Sequence, residues 1–95
     1  MDCSYWSYCA NKIYWDKDYR ELKETLTFED YLDDYNQIEL IFDTLNDRVG
    51  LNHNNLENAV YCFKSILSNK DILSTLNTRE LFEAELVNRF ENLFK

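Results

Sequence analysis

The chain has 95 residues, of which 18 are acidic and 10 are basic, so its formal net charge at pH 7 is −8. This length suits one domain, and a hydrophobic fraction of 45% supplies enough apolar side chains for a core without a metal ion or a disulfide. The acidity excludes direct binding to nucleic acid, because a phosphate backbone requires a basic surface. We therefore expect residues 1–95 to form a single acidic domain.

Glycine and proline usage predicts the fold class. Proline is absent and Gly50 is the only glycine. A hairpin-rich fold needs several tight turns built on these residues, whereas helices can be capped by asparagine, serine or threonine. The sequence therefore predicts an all-α fold, a small bundle of four to five helices.

The N-terminal region is compatible with more than one secondary structure. A helix over residues 4–10, or as far as 15, fits the pattern, but the aromatic-rich run could equally be a strand or an irregular arm. Asp16 is placed to cap a following helical turn that carries Tyr19 and Leu22. No basic region followed by an apolar stretch starts the chain, and no run reaches about 18 apolar residues. We therefore expect a cytoplasmic protein.

A long helix from about Phe28 to Arg48 follows from one apolar stripe. The residues that recur at spacings of three and four are Tyr31, Tyr35, Ile38, Phe42, Leu45 and Val49. Thr27 with Asp30 resembles a capping box at its start, and Gly50 stands where a helix terminus with positive φ is expected.

Two further helices and one short turn are predicted after the polar link 52–55. The first runs from Leu56 to about Ser68, the turn covers residues 71–76, and the last helix continues nearly to the C-terminus. Its predicted core residues are Phe82, Leu86, Phe90, Leu93 and Phe94.

The charge is concentrated in the first half of the chain. Residues 1–50 carry twelve acids and five bases, whereas residues 51–95 carry six acids and five bases. Between Glu24 and Asp47 there are eight acids and neither lysine nor arginine. Acids four residues apart repel one another, so the long helix forgoes the stabilisation that alternating charges would give.

These acids favour two interpretations. On a continuous helix, four of them share the face opposite the apolar stripe, and the first two and the last two of these are each about 6 Å apart along the axis, similar to phosphates along a nucleic-acid strand. The four are Glu29, Asp33, Asp43 and Asp47. The face could be a solvated surface, or it could bind a positively charged partner. Asp43 and Asp47 favour the second interpretation, because the C-terminal end of a helix disfavours anions.

Catalytic and metal-binding chemistry is weakly supported. His53 is the only histidine and lies in the polar link, while Cys9 and Cys62 are flanked by core-type residues. Cys3, Cys9, His53 and Cys62 together have the ligand types of a zinc site, but their spacings match no familiar zinc module. The odd number of cysteines indicates reduced thiols. We therefore expect neither an enzyme nor a bound metal or cofactor.

Aromatic residues cluster near the N-terminus, where six of the fifteen lie in the first nineteen positions. They could pack in the core, or some could anchor a protein interface, where tyrosine and tryptophan are enriched. Trp6 and Trp15 are the candidate anchors.

The resulting hypothesis is a protein that inhibits a target by covering its nucleic-acid-binding surface. The residues predicted to bind the partner are Glu29, Asp30, Asp33, Asp34, Asp43, Asp47, Trp6 and Trp15. In size and charge the chain resembles small acidic inhibitors that phages and other mobile elements make against host enzymes, which include anti-CRISPR proteins and, in some cases, DNA mimics. A toxin-neutralising immunity protein or antitoxin, or a helical regulatory or assembly subunit, would also fit. The hypothesis predicts that reversing Asp33 and Asp34 to lysine abolishes binding with unchanged helix content.

Overall fold

The fold was analysed in a computed structural model, which describes residues 5–25 and 30–93. Within these ranges the chain forms six α-helices and one 3-10 helix, without a strand. The helices are α1 (Tyr5–Tyr14), α2 (Lys17–Thr25), the 3-10 helix (Asp30–Leu32), α3 (Tyr35–Val49), α4 (Leu56–Leu67), α5 (Lys70–Leu73) and α6 (Arg79–Asn92). The all-α prediction is confirmed, and the helices outnumber the predicted four to five because α2 and the single turn α5 are separate elements.

The N-terminal region is helical, which decides between the alternatives left open by the sequence. Helix α1 buries Cys9, Ala10 and Ile13 against the rest of the protein. The predicted cap at Asp16 is confirmed, because its Oδ2 accepts hydrogen bonds from the backbone N–H groups of Asp18 (3.0 Å) and of Tyr19 (3.3 Å). Helix α2 starts from this cap.

The predicted long helix is wrong at its start. Helix α3 begins at Tyr35, and its N-cap is Asp34, whose side chain accepts a hydrogen bond from the backbone N–H of Gln37 (3.0 Å). At about 100° per residue, a helix continued backwards would place Leu32 about 120° away from Ile38 and off the core face. In the folded chain Leu32 is buried, because the helix is interrupted.

Two buried tyrosine hydroxyls hold the segment before α3. The Tyr19 hydroxyl donates to the Leu32 carbonyl (2.6 Å), and the Tyr31 hydroxyl donates to the Leu76 carbonyl. These contacts join the 3-10 helix to α2 and to the loop before α6. Tertiary hydrogen bonds therefore override the local helix signal at this point.

The predicted end of α3 at Gly50 is confirmed, and the N-caps of α4 and α6 are Asn55 and Thr78. Gly50 has a φ of +75° and its N–H donates to the Asn46 carbonyl (2.9 Å), as expected for a glycine that ends a helix. Helix α6 is capped by Thr78, whose hydroxyl accepts from the Leu81 N–H (3.2 Å). In the polar link, Asn55 binds backbone groups within the loop and makes no side-chain hydrogen bond to α4.

Four helices enclose one hydrophobic core. Helices α1 and α6 each pack against both α3 and α4. At the centre, the ring of Phe63 lies between the rings of Phe42 (centroids 4.9 Å apart) and Phe82 (4.8 Å apart). This arrangement orients the opposite side of α3 towards solvent.

One carboxylate enters this core. Glu83 of α6 is only 7% exposed, and burial raises the pKa of its carboxyl above the ordinary 4.5. A hydrogen bond from Thr44 and the positive charges of Arg79 and Arg48 lower the pKa, while Glu80 raises it. Arg79 Nε lies 3.5 Å from Glu83 Oε2. Desolvation therefore outweighs the stabilising contacts of the ionised form.

We expect Glu83→Gln to stabilise the protein at pH 7. Because the folded state binds the Glu83 proton more tightly than the unfolded chain, the free energy of unfolding falls as pH rises from 4.5 through the raised pKa. A neutral amide does not lose stability in this way. We therefore expect Tm to rise by a few °C, since about 1 kcal/mol in the free energy of unfolding corresponds to roughly 4–8 °C for a domain of this size. Thermal unfolding at pH 7 and at pH 4 checks it. The difference should shrink at the lower pH, and a variant less stable at pH 7 would contradict the account.

Candidate protein-binding surface

The solvent side of α3 carries the acids that remain on this helix. Asp47 and Asn36 are exposed, Asp43 is half-buried, and Leu40 is 45% exposed. At about 100° per residue these four side chains fall within a sector of about 60°, opposite the core face that includes Phe42. We call this sector the acidic face.

The interrupted helix changes the place of Asp33 and Asp34. Both are exposed, but they precede α3 and do not lie on one continuous helix with Asp43 and Asp47. The predicted arrangement of one acidic ridge is therefore wrong, because the chain turns at residues 33–34. Of the four acids predicted to share a face, only Asp43 and Asp47 lie four residues apart on one described helix.

The two earliest predicted acids lie at the edge of the described residues. Glu29 lies outside the described residues. Asp30 begins the 3-10 helix, and its side chain also lies outside the described part. Their predicted role in binding stays a prediction.

Ion pairing distinguishes Glu83 and Glu85 of α6 from Asp43 and Asp47 of α3. The salt bridges in the described ranges are Lys64–Asp16, Arg79–Glu83 and Arg89–Glu85. Two of these are pairs four residues apart on α6, the arrangement that stabilises a helix. None of the three involves Asp33, Asp34, Asp43 or Asp47. The negative charge around α3 is therefore uncompensated by ion pairs within the described protein.

Glu39 borders the acidic face on the side of α1. Its Oε2 accepts a hydrogen bond from the Ser7 hydroxyl (2.5 Å), and the Tyr35 hydroxyl donates to the Ser7 carbonyl (3.1 Å). These bonds join the first half of α3 to α1. They fix the position of the acidic face relative to the N-terminal helix.

The two predicted tryptophan anchors lie in different environments. Trp6 is half-buried and packs against the core, whereas Trp15 is 67% exposed. The guanidinium of Arg20 lies 4.3 Å from the Trp15 ring centroid and 4.6 Å from that of Tyr14. Trp15 therefore sits beside a cation and not among the acids of α3.

The sequence analysis placed Leu93 in the core, but Leu93 is 46% exposed, and two further exposed apolar residues were not identified. Leu40 and Tyr61 are 45% and 64% exposed. Each lies outside the apolar stripe of its helix. Leu40 is two residues from Ile38 and Tyr61 is two residues from Phe63, and two residues on a helix point about 200° apart. A search for large apolar residues off the stripe would have found both.

The described thiols are buried. Cys9 and Cys62 form no disulfide, and burial raises the pKa of both thiols, that of Cys9 to about 12. The Cys9 thiol contacts the Leu56 carbonyl (3.5 Å). Residues 5–25 and 30–93 contain no group of three or more potential ligands that could hold a metal ion. Buried thiols with raised pKa values are poor nucleophiles.

Comparison with protein-family models, curated proteins and solved structures finds no match for this chain. None of the helices in the described part combines the length and the apolar character needed to cross a bilayer.

Proposed function

We propose that this protein is an inhibitor that uses its acidic face to cover a basic, nucleic-acid-binding surface of a target protein. The observation that carries the proposal is the uncompensated charge around α3. Asp33, Asp34, Asp43 and Asp47 form no salt bridge with the described residues, while the acids of α6 at positions 83 and 85 are paired.

A role in stability does not explain the pair Asp43 and Asp47. Like charges four residues apart destabilise a helix by a few tenths of a kcal/mol, and an acid in the last turn, as Asp47 is in α3, interacts unfavourably with the helix dipole. Asp34 differs, because it caps α3. A surface that keeps such a pair without a salt bridge in the described residues suits a partner that supplies the positive charge.

The exposed Leu40 adds an apolar contact to the acidic face. It lies about 20° from Asp47 around the helix, and its 45% exposure leaves area that a partner could bury. Interfaces combine such apolar contacts with charged groups that guide encounter and orientation. The acidic face therefore has both components that binding to a basic protein requires.

The proposed target acts on nucleic acid in the cytoplasm of a host cell. An anti-defence protein of a phage or mobile element, for example an anti-CRISPR protein, would have this activity. Of the four acids predicted to share a face, the interruption before α3 leaves Asp43 and Asp47 as the one pair on a single described helix. We therefore propose charge complementarity with the target, without imitation of a long nucleic-acid strand.

Affinity capture from lysate of the source organism or its host tests the proposal. The wild-type chain serves as bait, with washes at about 0.1 M and about 0.5 M salt, which differ strongly in electrostatic screening. We expect a nucleic-acid-processing protein that is retained at the lower salt and released at the higher. A partner that is indifferent to salt, or capture of nothing but this chain, would contradict the proposal.

A further inference from the structure

A second surface is marked by exposed aromatic residues. All the exposed aromatic side chains of the described part lie on α1, directly after it, or on α4. They are Tyr5, Tyr8, Trp15 and Tyr61. Tyrosine and tryptophan are enriched in protein interfaces, because each combines a large apolar area with a polar group.

Helices α1 and α4 lie side by side and run in the same direction. The Tyr8 hydroxyl donates to Glu57 Oε2 (2.6 Å) near the start of both helices. At the other end, Lys64 Nζ lies 3.0 Å from Asp16 Oδ1. The solvent-facing stripes of the two helices therefore form one continuous surface.

Each of the two helices contributes one solvent-facing stripe, with side chains at positions i, i+4 and i+7. We call the combined surface the α1–α4 face. Its residues are Tyr8, Lys12 and Trp15 from the first stripe and Glu57, Tyr61 and Lys64 from the second. None of them belongs to the acidic face of α3.

The charge order along α4 makes this surface complementary to itself. Glu57 precedes Tyr61 and Lys64 follows it, so the stripe reads negative, aromatic, positive. The two charged residues are seven positions apart, or about 10 Å along the axis. When a second α4 is turned end for end, each Glu57 meets a Lys64 and the two Tyr61 side chains meet near the two-fold axis.

We propose that a second copy of this chain docks on the α1–α4 face, with the two α4 helices antiparallel across a two-fold axis near Tyr61. Two-fold interfaces of this kind are the commonest in homo-oligomers. The aromatic side chains supply the apolar area and the two Glu57–Lys64 pairs fix the register. The internal contacts of Glu57 with Tyr8 and of Lys64 with Asp16 pre-orient both charges.

The expected dimer is weak. Helix α4 has 12 residues and is therefore about 18 Å long, so two such faces bury an area at the low end for specific interfaces. The proposal does not depend on the proposed function, because it uses different residues.

Sedimentation equilibrium of the purified full chain from about 1 µM to about 1 mM tests the proposal, a range that covers weak interfaces. Wild-type protein is expected to pass from monomer to dimer. Glu57→Lys and Lys64→Glu are each expected to abolish this transition, because each places like charges opposite one another twice. The double variant E57K/K64E is expected to restore it.

The double variant E57K/K64E distinguishes the contacts of Glu57 and Lys64 within one copy from their proposed contacts between two copies. It breaks both internal contacts, so restored dimerisation can only come from the exchanged pairs between copies. Exposed charges on α5 give matched controls, Asp71→Lys and Lys70→Glu, which should dimerise like wild type. Tyr61→Ala, at a site 64% exposed, should weaken the dimer about tenfold with an unchanged fold.

Circular dichroism and thermal unfolding show that each variant is folded. A wild-type chain that stays monomeric up to about 1 mM would overturn the proposal, since that concentration corresponds to barely measurable affinity. Dimerisation that survives both single reversals, a Tyr61→Ala variant that dimerises as tightly as wild type, or a folded double variant that stays monomeric, would also overturn it.

Discussion

The double variant Asp43→Lys/Asp47→Lys is expected to lose the partner that the wild-type chain captures, while its fold stays intact. Neither aspartate caps a helix or forms a salt bridge with the described residues. The substitution places two positive charges opposite a basic surface, and like charges at an interface cost several kcal/mol, so we expect at least a 100-fold loss of affinity, on the order of 3 kcal/mol. Capture at about 0.1 M salt measures the loss.

A matched variant separates this effect from net charge. Asp71→Lys/Glu91→Lys changes the charge of the protein by the same amount at exposed positions on α5 and α6. It should retain the partner. Equal binding by the Asp43→Lys/Asp47→Lys variant and wild type, with helix content and Tm unchanged, would show that the acidic face is only a solvated surface.

Reversal of Asp33 and Asp34, which the sequence suggested as the test, is less informative. Asp34 accepts the capping hydrogen bond from Gln37, and loss of such a cap costs about 1 kcal/mol. Loss of binding by that variant would therefore combine a change in the start of α3 with a change in charge.

Phe63→Ala is expected to destabilise the protein by about 3–5 kcal/mol, the usual cost of removing a buried aromatic ring. Its ring is fully buried and contacts two other phenylalanine rings, stacked on Phe42 at a centroid distance of 4.9 Å and tilted against Phe82 at 4.8 Å. Because small domains have total stabilities of about 5–15 kcal/mol, this change removes a large part of the total. Urea unfolding at micromolar protein concentration measures it.

The control lies on the same helix. Tyr61→Ala removes a side chain that is 64% exposed, so its effect on the free energy of unfolding should stay within about 0.5 kcal/mol. A Phe63→Ala variant as stable as Tyr61→Ala would contradict the position of Phe63 at the centre of the core.

The helical class was predictable because it rests on composition and on local patterns. One glycine and no proline leave few ways to build a sheet, and the stripe that contains Ile38 and Phe42 specifies the core side of α3. The start of α3 was not predictable in the same way. Thr27 and Asp34 are both good capping residues, and the choice depends on the burial of Leu32, a tertiary effect that local patterns do not contain.

For the candidate site, the sequence predicted the amount of charge better than its geometry. The absence of lysine and arginine between Glu24 and Asp47 is visible in the sequence. The prediction that the acids of this segment share one face, however, assumed an unbroken helix. The difference between Trp6 and Trp15 depends on which side of α1 packs against α3 and α4. An aromatic-rich helix offers two or more such sides, so the sequence alone could not choose between them.

Competition between this protein and duplex DNA for the captured partner tests the central claim most directly. The partner, purified after capture, is saturated with the wild-type chain and then mixed with a labelled duplex, with the Asp43→Lys/Asp47→Lys variant as control. We expect the wild-type chain to prevent duplex binding, excess duplex to release the chain, and the variant to have no effect. A ternary complex of chain, partner and duplex would contradict the claim that the acidic face covers a nucleic-acid-binding surface.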